Sequence, residues 1–554
     1  MNRRTILSCL CIFVGYAIYG IYAASLRFDF YFPTEVYWLS FVFVSIPILY
    51  GVAYWNNNPK LRLFCLLSFS LLIHLQYAMI DASPLLSSED AVADYNLTSK
   101  IIADSKWTLV KDNEWYFGYE YQFYPITNFI YATMTMLTGI PLILVVKYLF
   151  IIKALVVPFL VERVFGRFFN KQVAYLATMI FLASPGAILF PHKESFAVIF
   201  FFLSLYAIIK SVKYRIYALI GLLSILTLVM THHFTTYIFL GTLVALYFST
   251  HFFYRQKGVI MQSRQLSQYL LFCLTVFAAW VGFISYTIIT QHQSTLINFF
   301  LMLTPGRTTF SELAPLYPLY ERTIIFIGLG ITAFSAVLGF IAYVKDKKRF
   351  SFSFFSMSIL FIILLAIGSL FRFSSHNENI IISHRTFEFG YIAIGAFSGL
   401  FFFRVFKLTK KLSLKAIFMG AIVIMITAGP IMGAMHPGSM NTISHVISFK
   451  SISLNVWMSE SNANEEYTVG DHLVYFALSI YGDSKVAEYP ELFVNHDFSL
   501  PLDVRSNWSY VVTYSYMADL YGSNAITFAD KPIYDTIYTN GILNVYGVTN
   551  RTSS

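Results

Sequence analysis

Apolar runs of 17 to 25 residues recur along this 554-residue chain as far as position 433, and each can cross roughly 30 Å of hydrocarbon. In that medium every backbone N–H and C=O must be bonded inside its own segment, so each run has to fold as a helix. Only 12% of the residues are charged and 57% are hydrophobic, with mean hydropathy +0.63. Those values exclude a soluble enzyme, a disordered regulator and a fibrous protein. The +9 net charge does not indicate a nucleic-acid partner, because the basic residues sit in short loops between the runs rather than on one face of a domain.

The windows place spans near 5–24, 36–54, 63–80, 141–161, 173–190, 194–211, 216–230, 233–251, 266–288, 321–344, 351–370, 387–406 and 414–433, thirteen in all. Segment 122–139 is apolar but rich in Thr and Tyr, and counting it would invert the side of everything after it. With it left in the membrane interface, one face of the membrane collects 22 of the 38 Lys and Arg against Glu162 and Asp346. The positive-inside rule makes that face cytoplasmic. The expectation is a multi-pass plasma-membrane protein with its amino terminus inside and loop 81–140 and the tail outside. Three regions follow: amino-terminal helices 1–62, a membrane core 63–433, and an extracytoplasmic domain 434–554.

The tail holds twelve acids and five bases, and in Tyr534–Gly547 two β-prone arms flank Asn540-Gly541, a hairpin signal. A small α/β or β-rich domain is expected there. Cys9, Cys11, Cys65 and Cys273 all fall inside spans, so the external parts have no thiol for a disulfide or a thiolate metal site. Residues 1–24 share features with a signal peptide, Arg3-Arg4 before an apolar stretch and Ala23-Ala24 after it; an uncleaved span is the reading adopted. The three sequons, at Asn96, Asn507 and Asn550, all fall outside.

Ionisable groups bordering a span are functional candidates by default, and they gather at the outer ends. Asp90 and Asp94 in SSEDAVADYN are four apart, on one helical face, where two carboxylates suit general-base or metal work. The structural alternative is an acidic first turn capped by Ser87-Ser88. His192-Lys193-Glu194 forms a short outer turn, and His232-His233 ends span seven. Neighbouring histidines point about 100° apart on a helix, which favours a structural role for at least one. Arg385 and Glu388, three apart after His384, form either a local ion pair or part of a phosphate clamp. Lys147 and Lys153 lie within span four, either snorkelling or turned inward; Lys193, Arg372 and Arg385 add cations to the same outer leaflet. There is no P-loop, GxGxxG, HExxH or GxSxG pattern.

In order, SSEDAVADYN, FYPITNFIYATMTMLTGI, Lys147, FPHKESFAVIFF, THHFTTYIFL and SHRTFEFGYIAIGAFSGL resemble a GT-C fold glycosyltransferase, of the prokaryotic and archaeal type related to protein mannosyltransferases and oligosaccharyltransferases. The resemblance covers roughly residues 60–433. It implies a polyprenyl-phosphate-sugar donor, with a glycan, lipid or protein acceptor outside the cell. Carried onto this chain, it implies Asp90 as base, Asp94 as its partner and Glu194 as the second-loop acid. It also implies that Lys147, His384 and Arg385 hold the lipid phosphate, and His192, Lys193, His233, Arg372 and Glu388 at the outer ends of spans are the further candidates for the donor site. The turn Lys193-Glu194 departs from the Asp-containing turn of oligosaccharyltransferases, which leaves a divalent metal undecided. Two rivals stand beside this reading: a polysaccharide polymerase or ligase of another fold, and a transporter. The first needs a large late loop richer than 289–320, and the second predicts repeats and midplane charges that the sequence lacks.

Overall fold

The computed structural model describes residues 3–28, 34–53, 59–80, 89–109, 122–184, 192–253, 263–285, 319–346, 351–372 and 377–433, with short pieces of 454–548. Two compact units emerge, one of residues 1–80 and 101–434, the other of residues 81–100 and 435–554.

The first unit is helical. Its helices are α1 (Arg3–Phe28), α2 (Thr34–Ala53), α3 (Pro59–Ile80), the end of α4 (Glu89–Asp104), α5 (Ile126–Thr138), α6 (Leu142–Tyr148) and α7 (Ile152–Phe168). There follow α8 (Lys171–Leu182), α9 (Lys193–Ser211), α10 (Ile216–Val229), α11 (His233–Phe253), α12 (Ser263–Phe283), α13 (Leu319–Lys345), α14 (Phe352–Arg372), α15 (Asn377–Leu408) and α16 (Leu412–Gly433). Among the described residues eight segments are long and apolar enough to cross a membrane, including α6 and α7 taken together through a 3-10 turn at Leu149–Ile151. Three more apolar helices are shorter. The chain is therefore a multi-pass membrane protein. Its outward faces agree: α13 exposes Phe326 and Phe334, and α12 exposes Phe283 at 84%, positions that suit lipid rather than water.

Helix α5 has 13 residues, about 20 Å at 1.5 Å per residue, short of the roughly 30 Å core. It stops where the sequence forces it to. Gly139 takes φ 70° and gives its N–H to Thr135 O at 2.9 Å, and Pro141 follows, which cannot continue the helix. The 122–139 segment was read from sequence as lying in the interface, and the short helix is compatible with that reading.

Helix α15 packs on α8, α13 and α14. A Cβ at Gly395 would stand 2.7 Å from Ala177 O and one at Gly399 2.9 Å from Ala177 N, so α15 touches the backbone of α8 through a small-residue stripe four apart. On its other side Gly339 of α13 lies against the carbonyl of Phe397, and Ser335 Oγ donates to Ser398 Oγ at 2.9 Å. Side chains at these glycines would push the helices apart.

In the second unit, a five-stranded mixed sheet runs in the order β2-β1-β3-β5-β4. Strand β1 (Thr468–Gly470) pairs in parallel with β2 (Val486–Glu488) and β3 (Tyr510–Tyr514). Strand β5 (Leu543–Val548) pairs antiparallel with β3 and with β4 (Tyr534–Thr539). The expected turn at Asn540-Gly541 lies outside the described residues, while the arms on either side of it pair antiparallel, with a register shift between Thr536 and Tyr538.

Candidate active site

Two histidines begin helices at one cluster. His192 is the N-cap of α9: its Nδ1 accepts the backbone N–H of Glu194 at 2.9 Å, satisfying one of the donors that a helix start leaves unpaired. His232 precedes α11 in the same way. Its Nδ1 accepts the N–H of Thr235 at 3.4 Å and lies 2.9 Å from Thr235 Oγ1. The rings meet edge to face with centroids 5.7 Å apart. Burial, with the charges of Arg385, His233, His192 and Lys193, holds the His232 imidazole well below its ordinary pKa of 6.5, so this ring is neutral.

Glu194 follows immediately in the first turn of α9, the end of a helix that favours a negative charge. Its side chain is 0% exposed, and among the described residues neither carboxylate oxygen has a hydrogen-bond partner. The charge is met by Arg385 of α15, whose Nε lies 3.1 Å from Glu194 Oε2 and whose side chain is 20% exposed. The same guanidinium puts Nη2 3.5 Å from His192 Nε2. With Nδ1 of His192 committed as an acceptor, the neutral ring carries its proton on Nε2, so these two nitrogens are both donors. An anionic oxygen placed beside them would satisfy both.

One turn further along α15, Glu388 takes a different partner. Its Oε1 accepts from Lys153 Nζ of α7 at 2.7 Å, and both side chains are buried. Arg385 and Glu388 therefore do not form the local pair that their spacing allowed; each is paired across to another helix. His74 of α3, buried with Nδ1 2.8 Å from Ser70 O, lies within the electrostatic reach of Lys153. The sequence gives no local signal for His74: Ser70 O is a backbone carbonyl four residues back on its own helix, and Lys153 comes from an element far away in the chain.

Lys193 turns toward α5. Its ammonium donates to Tyr124 O at 2.8 Å and to Asn128 Oδ1 at 3.1 Å, tying α9 to the start of α5. His233 stacks beside Tyr124 with centroids 5.2 Å apart, and beyond it Trp280 Nε1 donates to Phe123 O at 3.0 Å. Trp280 lies parallel to Trp107 with centroids 6.2 Å apart. Lys147 is fully buried, with its ammonium 5.7 Å from the Tyr148 ring. Asp94, on the part of α4 that belongs to the second unit, is also fully buried. The side chains of Asp90, Arg372 and His384 lie outside the described residues.

His192, Glu194 and His232 place ligand-capable atoms within 4.8 Å of one another, and two imidazoles with one carboxylate are a donor set that suits zinc. The hydrogen bonds argue against it. His192 uses Nδ1 to cap α9, so a metal at its Nε2 would require the proton to move to Nδ1, where it would face the capped N–H. The three residues do not fit a metal as they stand.

No protein-family model matches the chain, and no curated protein sequence does. Solved structures do. The archaeal oligosaccharyltransferase AglB from Archaeoglobus fulgidus, in complex with an inhibitory peptide and a dolichol-phosphate, is similar over 89% of this chain and 75% of its own, with 13% identity and TM-score 0.50. ArnT from Cupriavidus metallidurans bound to undecaprenyl phosphate aligns over 89% of this chain and 99% of its own, with 11% identity and TM-score 0.49. The likeness to AglB establishes the fold: the GT-C architecture expected from the order of sequence elements is the one found.

Proposed function

We propose that the chain is a glycosyltransferase that moves a sugar from a polyprenyl-phosphate donor to an acceptor glycan, lipid or protein on the outer side of the membrane. The observation that carries this reading is the buried Glu194 carboxylate, which among the described residues has no hydrogen bond and faces the partly exposed Arg385 guanidinium at the capped start of α9. It sits in the fold of an oligosaccharyltransferase whose structure holds a dolichol-phosphate.

In this reading all thirteen apolar windows cross the membrane, α5 lies in the interface, and the carboxy-terminal sheet is extracytoplasmic. The donor phosphate takes the donor edge formed by Arg385 Nη2 and His192 Nε2, with Lys147 and His384 adding positive charge. As the bond from the anomeric carbon to the phosphate oxygen breaks, negative charge grows on the phosphate, and a guanidinium already in place stabilises it without reorganisation. Arg385 keeps its Nε on Glu194 Oε2, and the other oxygen of that carboxylate, Oε1, orients the acceptor or takes the acceptor's proton while the new glycosidic bond forms, with Asp90 and Asp94 as the other candidate bases. Holding the donor in the bilayer beside these groups reduces the search for a reactive encounter.

The test is transfer in vitro. Purified protein in lipid receives radiolabelled polyprenyl-phosphate sugars and a crude acceptor extract, comparing wild type with Glu194→Gln and Asp90→Asn. Label reaching acceptor with wild type and lost in Glu194→Gln is the expected result. No consumption of any donor by folded protein sinks the reading.

A further inference from the structure

We infer that Arg385 takes the place of a divalent cation at Glu194, and that His192 and His232 serve as helix caps and not as metal ligands, so this site works without a metal. The inference extends the transfer reading, but its first test needs no sugar donor.

Three observations converge. First, Nδ1 of His192 accepts the Glu194 N–H at 2.9 Å, which leaves that ring's proton on Nε2, and His232 Nδ1 is engaged at the start of α11 by Thr235, 2.9 Å from its Oγ1 and 3.4 Å from its N–H. A neutral imidazole has one proton and one lone pair, and in His192 the lone pair is spent. Ligation through His192 would have to undo its cap.

Second, the position that a cation would fill is taken. The guanidinium of Arg385 contacts Glu194 Oε2 at 3.1 Å through Nε and reaches within 3.5 Å of His192 Nε2 through Nη2. It therefore spans two of the three ligand-capable residues. A metal bound at the usual distance of about 2.0–2.2 Å from the carboxylate would sit against a fixed positive charge in a buried setting, where Coulomb repulsion is weakly screened.

Third, each of the two carboxylates here already has a cationic partner. Glu194 is matched by Arg385 and Glu388 by Lys153, and Lys193 stands next in sequence to Glu194 with its ammonium on neutral oxygens of Tyr124 and Asn128. No surplus carboxylate among these residues is left to offset a doubly charged ion.

Two measurements test this on the full chain purified in detergent. In the first, wild type is titrated with Co²⁺, followed by d–d absorption and by equilibrium dialysis. No saturable uptake is expected, and the melting curve should be the same in EDTA and in Co²⁺. One equivalent of cobalt bound by wild type and lost in His232→Ala overturns the inference. The second measurement compares Arg385→Gln with the double variant Arg385→Gln/Glu194→Gln. Removing the guanidinium alone strands a buried carboxylate, so the single variant should melt lower than wild type or fail to fold, and the double variant should melt higher than the single. A double variant that melts no higher than the single one overturns the assignment of Arg385 as the counter-charge. A metal-free result with no transfer activity would leave this inference standing and remove the proposed function instead.

Discussion

Lys153 Nζ lies 2.7 Å from Glu388 Oε1 across 235 positions of sequence, joining α7 to α15 inside the helical unit. Neither group has solvent to fall back on, so the pairing offsets the cost of burying both charges.

Removing one partner of that pair should therefore be severe. Lys153→Met or Glu388→Gln alone should lower stability by about 3–5 kcal/mol, whereas Lys153→Met combined with Glu388→Leu should recover much of the loss. Thermal melting in detergent checks it; a double variant as weak as the worse single would refute the pairing.

The contact between α15 and α8 leaves no room at Gly395. An Ala there would bring its Cβ to 2.7 Å from the Ala177 carbonyl, so one helix must shift, at a cost of about 1–3 kcal/mol for overpacking. Gly420→Ala is the control, since nothing lies within 4 Å of that position. Equal melting of the two variants would contradict the close approach.

The buried carboxylate of Glu321 accepts from Trp38 Nε1 at 2.8 Å and from Tyr320 Oη at 3.1 Å, linking α13 to α2. Trp38→Phe removes a donor to a charged group and should lower stability by about 1.5–3 kcal/mol. Tryptophan emission should follow the same melting transition in both proteins, with only the midpoint moved.

His232 gives a pH signature. Its folded pKa lies well below the ordinary imidazole value of 6.5, so below that value the unfolded chain binds a proton that the folded chain refuses. The contribution of this group is level above pH 6.5 and turns against the fold as pH falls further, by up to ~1.4 kcal/mol per pH unit. Melting midpoints of wild type and His232→Asn measured from pH 8 to 5 should diverge in that window, with the variant losing less on acidification; parallel curves would exclude the effect.

Much of the site was legible because charge beside a membrane is expensive. That argument marked Glu194, Lys193, Arg385 and Glu388 as candidates from the sequence, and the 100° divergence of adjacent histidines favoured a structural task for at least one of His232 and His233. Which charge meets which was not legible. Spacing three apart on α15 made Arg385 and Glu388 natural partners for each other, but packing of α7 and α9 against the same cluster offered each a buried partner instead. The Gly395 and Gly399 stripe drew no reading from the sequence, because its counterpart at Ala177 depends on which helix lies alongside. His74 had no local pattern at all. Long-range pairing of this kind is decided by tertiary packing, not by any window of the chain.

The small-residue contact of α15 begins about 10 Å below Glu388, seven residues on at 1.5 Å each. Its height against α8 is thus set backbone to backbone, by atoms that no side-chain replacement in the charged turn can alter. In this helix the frame and the chemistry occupy separate storeys. The turn bearing Arg385 and Glu388 is consequently a place where specificity can be redrawn, by evolution or by design, while the lower storey keeps the helix in register.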